Sequence, residues 1–278
     1  MKTLLILLFA AATASAIPIQ VIYGDAANTG FYDPAPRTAL PTNPGTTLGE
    51  QRRIAFEFAL SRWSTQIAGT IPLKVRAAWS STPAGPTSIT LASASPVNFF
   101  KNGVVVSGLP RNNTFYPSAL VDQVMGQNLV VNGTSDDISV DCNSYLDEVT
   151  TDGYTWDYGL DNSAASGTSF VGVTLHEIGH GLGFISSLNQ TTGNYNLSSP
   201  SSWDALMTDS SGTFLTTMSA ANRVPLTIRT PSTPTARRSG SITKEILPGC
   251  TLRPRSFRDP RCTISTRSFI RPLAASMS

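Results

Sequence analysis

The chain has 278 residues, 40% of them hydrophobic, which supplies one substantial core or two small ones. Three cysteines, Cys142, Cys250 and Cys262, exclude a disulfide-held scaffold, and the lack of any later run of about 18 apolar residues excludes a transmembrane segment. The formal net charge of +2 hides an asymmetry: residues 1–223 carry 10 Lys and Arg against 16 Asp and Glu, or −6, whereas residues 224–278 carry 10 against 2, or +8.

Lys2, the short apolar run Leu4–Ala12 and the small residues Ala14-Ser15-Ala16 read as a signal peptide over residues 1–16, with cleavage before Ile17 and a secreted, extracellular destination. An uncleaved anchor is the alternative. Export permits disulfides, but three cysteines leave at least one without a partner in the chain.

Ile19–Tyr23 alternates weakly and predicts a first strand. The Gly, Pro, Asn and Asp content of 24–45 predicts a loop. Thr47-x-x-Glu50 is a capping box, and Phe56, Ala59, Leu60, Trp63 and Ile67 then recur at helical spacing, with Gly69 closing the segment. Ile71, Leu73, Val75, Ala77 and Trp79 alternate with Lys74 and Arg76, as in a half-buried strand. Residues 80–87 form a turn region. Ile89, Leu91 and Val104–Val106 suggest further strands. Pro117 opens a short helix through Met125. Residues 137–142 predict a short strand, and 145–167 a loop with a hairpin near Tyr154–Tyr158. Thr168 or Ser169 caps a helix from Phe170 to Leu182, which Gly181 and Gly183 end or turn. Strands and helices without regular alternation argue an α+β fold with a mixed sheet.

That last helix carries His176-Glu177-Ile178-Gly179-His180, and the chain contains no other histidine. A spacing of four puts both imidazoles on one helical face, one turn apart, where two neutral nitrogens can grip one Zn²⁺. Glu177, next to the first ligand, suits a carboxylate that takes a proton from metal-bound water and passes it to a leaving amine. Phe170, Val173 and Leu175 make the helix a buried one. Gly179 and Gly181 are poor helix formers whose small size admits another segment.

The run His176-Glu177-Ile178-Gly179-His180-Gly181-Leu182-Gly183-Phe184 resembles the active helix of metzincin-type zinc peptidases, above all the leishmanolysin-like group. The passages 30–34, 43–49, 137–139 and 158–161 are similar to a group of exported bacterial metallopeptidase-like proteins. The resemblance covers about residues 17–223. It implies a metzincin-like catalytic domain with a mixed sheet and a long active-site helix, His176 and His180 as zinc ligands, Glu177 as general base, a Zn²⁺ cofactor and a polypeptide substrate. It also implies a third ligand. Compact members place it where this chain has Ser186; others take it from far downstream, where this chain has no histidine. Asp204 is the candidate that remains, against the alternative that it caps a helix or sits on the surface. Met207 and Met218 are alternatives for a methionine beneath the metal, or simple core filler.

Residues 224–278 lose hydrophobic periodicity and read as a basic tail, disordered or aberrant. A reading-frame change that removed the natural C-terminal part explains it, as does a genuine tail for an anionic surface. Asn-x-Ser/Thr triplets start at Asn112, Asn132, Asn189 and Asn196 and matter only in a eukaryotic secretory pathway. Asp136, Asp137, Asp141 and Asp147 form an acidic cluster, without the twelve-residue loop of a calcium hand. The expectation is a secreted zinc metalloendopeptidase with no nucleic-acid partner and an open oligomeric state. The competing expectations are a catalytically inactive remnant of such an enzyme and a protein that binds surfaces through its tail.

Overall fold

The computed structural model describes residues 16–85, 89–103, 106–148, 155–161 and 167–227. The expected signal peptide (Ala16 apart), the tail from 228 onward, Val104, Val105, Tyr154, Cys250 and Cys262 lie outside the described residues.

Strand β1 (Ile19–Tyr23) and β2 (Leu73–Ser80) are parallel neighbours. Parallel neighbours need a crossover, and helix α1 (Leu48–Gln66) supplies it. Both bonds of the capping box form: the Thr47 hydroxyl accepts from the Glu50 N–H, and the Glu50 carboxylate accepts from the Thr47 N–H. Phe56, Ala59, Leu60 and Trp63 face the core, as the helical spacing predicts.

Strand β3 (Ala92–Pro96) starts later than expected. Ile89 and Leu91 are buried core residues that precede it. Two short strands, β4 (Phe99–Phe100) and β5 (Tyr116–Pro117), pair with each other, and β5 leads into α2 (Ser118–Met125). Val106 lies in no strand; it packs with Leu109, Tyr116 and Val121 in a second small core.

Strand β6 (Ile138–Asn143) lies between β2 and β3. The sheet order is β1-β2-β6-β3, parallel across the first three strands and antiparallel at β3. The sheet is therefore mixed, and the fold is α+β. A short helix α3 (Tyr145–Glu148) occupies part of the expected loop.

The expected hairpin near 154–158 does not form among the described residues. Instead β7 (Trp156–Asp157) pairs in parallel with β8 (Thr168–Ser169). The reason is the core. Trp156 is buried edge-on against Phe170, at 5.2 Å between ring centroids, and Phe170 also meets Trp79 at 5.1 Å and Tyr158 at 5.3 Å. Aromatic burial draws this segment inward instead of letting it fold back on itself in solvent.

Helix α4 (Phe170–Gly181) follows β8 directly and packs on α1, β3 and β6. The Trp63 indole N–H donates to the Leu175 carbonyl at 3.1 Å, tying α1 to α4. Helix α5 (Ala220–Thr227) runs across position 223, so folded structure continues past the expected domain end there. Among the described residues no helix is long and apolar enough to cross a membrane.

Candidate metal centre

Helix α4 is built to hold one face in the core and one in solvent. The Ser169 hydroxyl accepts from the Gly172 N–H at 3.0 Å and caps its start. Phe170, Val171, Thr174, Ile178 and Gly181 are buried, while His176 is exposed and His180 half-buried.

Its end is fixed by two glycines. The Phe184 N–H reaches the Gly179 carbonyl at 3.1 Å and the Gly183 N–H reaches the His180 carbonyl at 3.0 Å, the bond pair of a Schellman termination. That termination needs a left-handed residue, and Gly183 has φ +103°. Gly181 meets a different demand: a Cβ there would lie 2.3 Å from Cγ2 of Ile138 on β6. The sequence reading of small residues admitting another segment therefore holds at Gly181.

The Schellman turn folds the chain back so that the Phe184 carbonyl lies 3.0 Å from His180 Nδ1. A carbonyl only accepts, so Nδ1 carries the proton and the Nε2 lone pair is free. That Nε2 lies 3.0 Å from His176 Nε2, with the rings perpendicular and their centroids 4.6 Å apart. With the proton of His180 on Nδ1, His176 Nε2–H donates to His180 Nε2. Although the His176 side chain reaches solvent, partial desolvation of its ring, and then the neighbouring His180, pull its pKa below the ordinary value. The His176 ring thus resists protonation and keeps a neutral nitrogen available to a cation.

Glu177 points the other way, toward the sheet. It is 2% exposed, and its Oε2 accepts the Ala94 N–H at 3.0 Å. The bonds from Asn143 N–H to the Leu91 carbonyl and from Val97 N–H to the Asp137 carbonyl show which β3 residues face β6. Ala94 falls between them and presents its N–H at the open edge. Glu177 therefore closes that edge. Burial pushes its carboxyl up to about 7, against the opposing pull of the Ala94 bond.

A catalytic zinc normally takes three protein ligands and a water. The two imidazoles fit two of those places. Among the described residues no group of three His, Cys, Asp or Glu stands ready for a metal. Asp204, the candidate third ligand, is 1% exposed and fully engaged elsewhere. It accepts from the Ser186 hydroxyl at 2.5 Å, the Ser187 N–H at 2.9 Å, the Ser187 hydroxyl at 2.7 Å, and the Ser201 N–H and hydroxyl at 2.9 and 3.0 Å. Asp204 is neither a helix cap nor a surface residue: it opens the short 3-10 helix Asp204–Leu206, whose cap is Trp203, and its buried carboxylate ties the 186–187 segment to 201. Met207 is exposed and Met218 half-buried, and neither belongs to the core.

The acidic cluster is four separate contacts. Asp136 pairs with Arg76, Asp141 accepts from Ser80, and Asp147 binds Arg52 and Tyr158. Asp137 accepts the Lys74 N–H; burial, and then the Asp122 charge on α2, push it up to about 7. Cys142, on β6, is buried as a free thiol.

Sequence reasoning missed two members of this site. The Phe184 carbonyl was visible only as a motif residue, and Ala94 carried no signal at all. No known protein family, curated protein or solved structure matches this chain.

Proposed function

We propose that the chain is a metzincin-like, metal-dependent peptidase domain of an exported protein, with His176 and His180 as metal ligands and Glu177 as the proton-carrying group. The observation that carries this reading is the pair of Nε2 atoms 3.0 Å apart, one with its lone pair aimed by the Phe184 carbonyl. A plain structural helix has no need to converge two imidazoles on its solvent side. The mixed sheet with one antiparallel edge strand, and α4 lying against that strand, support the metzincin-like part.

A bound Zn²⁺ would supply Lewis-acid polarisation of a carbonyl and an acidified water. The chain's own contribution is orientation and proton handling. The Phe184 carbonyl fixes the His180 tautomer. Glu177 holds or releases a proton near neutrality, in a water-poor setting beside an open strand edge.

A second reading is a metal-binding domain without catalysis. The lack of a third donor among the described residues favours it. Metal analysis of the purified chain, then hydrolysis of an unstructured polypeptide with and without chelator, separates the two. Chelator-sensitive hydrolysis that disappears in Glu177→Gln supports the peptidase. Hydrolysis that survives both refutes it, and metal binding without hydrolysis selects the second reading.

A further inference from the structure

Asp122 on α2 and Asp137 at the start of β6 are 2% and 1% exposed, and three of their four oxygens have donors. Asp122 Oδ1 accepts the Leu129 N–H at 3.1 Å. Its Oδ2 accepts the Asn128 amide at 3.1 Å, which also donates to the Pro72 carbonyl at 3.2 Å. Asp137 Oδ2 accepts the Lys74 N–H at 2.8 Å. Asp137 Oδ1 is left buried without a donor, beside the Asp122 carboxyl. An orphaned charged oxygen is costly in a dry site, and two carboxylates sharing one cannot both ionise freely.

The surrounding elements supply no cation to fill that gap. The Lys74 ammonium of β2 donates to Ser135 Oγ at 2.7 Å, and Arg76 of the same strand pairs with Asp136. Strand β3 has no titratable side chain, Tyr116 of β5 lies in the second small core, and α4 meets Ile138 through Gly181. A proton on Asp137 Oδ1 turns the orphan into a donor to Asp122, whose own donors favour its ionised form. The start of α2 depends on the same residue, because the Ser118 hydroxyl donates to the Asp137 carbonyl at 2.9 Å. Just before α2, the Pro117 ring packs on Gly183, where a Cβ would lie 2.7 Å from Pro117 Cγ. We propose that Asp122 and Asp137 form a proton-operated latch. With one proton between them, α2 is pinned to the sheet and backs the Gly183 turn that ends the metal helix; with the proton lost, the two charges push α2 away and the turn loosens.

Burial and the Asp122 charge push Asp137 up to about 7, above the ordinary carboxyl near about 4. The latch is therefore closed in acid and opens as the pH rises through about 7. The test follows amide hydrogen exchange of the full chain, corrected for intrinsic rate, from about pH 5.5 to about pH 8.5, with a carboxyl-carbon NMR titration of both aspartates. Asp137 should titrate near about 7 while Asp122 stays ionised, and protection of α2 and of the Gly183 and Phe184 amides should fall together by at least about tenfold. Asp137→Asn donates to Asp122 at every pH and should keep its protection flat. Asp122→Asn is an independent check: Asp137 should then titrate below its wild-type value. Both carboxyls titrating below about pH 5, or a wild-type exchange profile matching that of Asp137→Asn, would overturn the latch. Loss of protection in α2 with Gly183 and Phe184 unchanged would overturn its reach to the metal helix. No readout uses a metal, so the result stands apart from the metal-binding reading.

Discussion

Replacing Gly181 by Ala tests whether the metal helix is seated where the structure has it. On helix propensity alone, Gly to Ala in a helix gains about 1 kcal/mol, and less here because Gly181 is the last helical residue. The contact with β6 opposes that gain. The new Cβ would sit 2.3 Å from Cγ2, 2.9 Å from Cδ1 and 3.0 Å from Cγ1 of Ile138. Ile138 is β-branched, stands mid-sheet and is fully buried, so it cannot swing aside, and α4 or β6 must shift. Overpacking of this kind costs about 1–3 kcal/mol, so the net effect is a loss of about 1–2 kcal/mol and a Tm drop of about 2–8 °C. The assay is equilibrium urea unfolding of Gly181→Ala, Ile138→Ala and the double variant. Ile138→Ala removes all three clashing carbons and costs about 2–5 kcal/mol by itself. Adding Gly181→Ala to it should then be neutral or stabilising, giving a coupling energy of at least about 1 kcal/mol. If Gly181→Ala stabilises the parent chain, α4 does not lie on β6 as described.

Gly183→Ala should cost about 1–2 kcal/mol, because its left-handed φ and the nearby Pro117 ring both oppose a Cβ; calorimetry checks it, and metal affinity should fall as the Phe184 carbonyl leaves His180. Glu177→Gln keeps an oxygen for the Ala94 N–H, so its Tm should hold within a few degrees while hydrolysis drops by about 10²–10⁴-fold; equal losses of both would make the residue purely structural. Asp204→Ala strands the donors of Ser186, Ser187 and Ser201 and should destabilise by about 2–4 kcal/mol, with metal affinity measured alongside as a readout that a structural role leaves nearly unchanged. The Asp122–Asp137 pair predicts a pH dependence. Asp137 is pushed up to about 7 in the folded chain, while the unfolded chain keeps an ordinary carboxyl near about 4. The folded state therefore binds the extra proton, and the pair's contribution is complete below about pH 4 and lost as the pH rises through about 7. Urea unfolding across that window should show the wild-type chain losing stability relative to Asp137→Asn, and parallel profiles would refute the raised Asp137 carboxyl.

What the sequence makes legible is what is encoded locally. The capping box at Thr47 and Glu50 is two bonds within one turn, so residue identity and spacing suffice to read it. The alternation of Leu73, Val75 and Ala77 with Lys74 and Arg76 is a property of one strand facing one core. The segment before α4 is different. Nothing local distinguishes Trp156 as a hairpin residue from Trp156 as a core residue. Its fate is set by Phe170 and Trp79, which the fold brings to it from other elements. A two-residue parallel pairing leaves no period to detect.

The site divides along the same line, and this bears on its chemistry. The convergence of His176 and His180 follows from helical geometry once the segment is a helix, so the spacing alone predicts two ligands. Their orientation is not local to the pair: it comes from a glycine-terminated turn that returns Phe184 to His180. Glu177 is the least legible residue of the motif. Spacing assigns it a place beside the metal, but the carboxylate bonds an edge-strand amide from a segment more than eighty residues away. Burial at that edge raises the carboxyl toward neutrality, the Ala94 bond pulls the other way, and the same bond joins the metal helix to the open strand edge. Any group that competes for the Ala94 N–H changes the solvation of Glu177. The protonation state of the proposed base is therefore coupled to whatever lies along β3, a dependence that the five-residue motif does not contain.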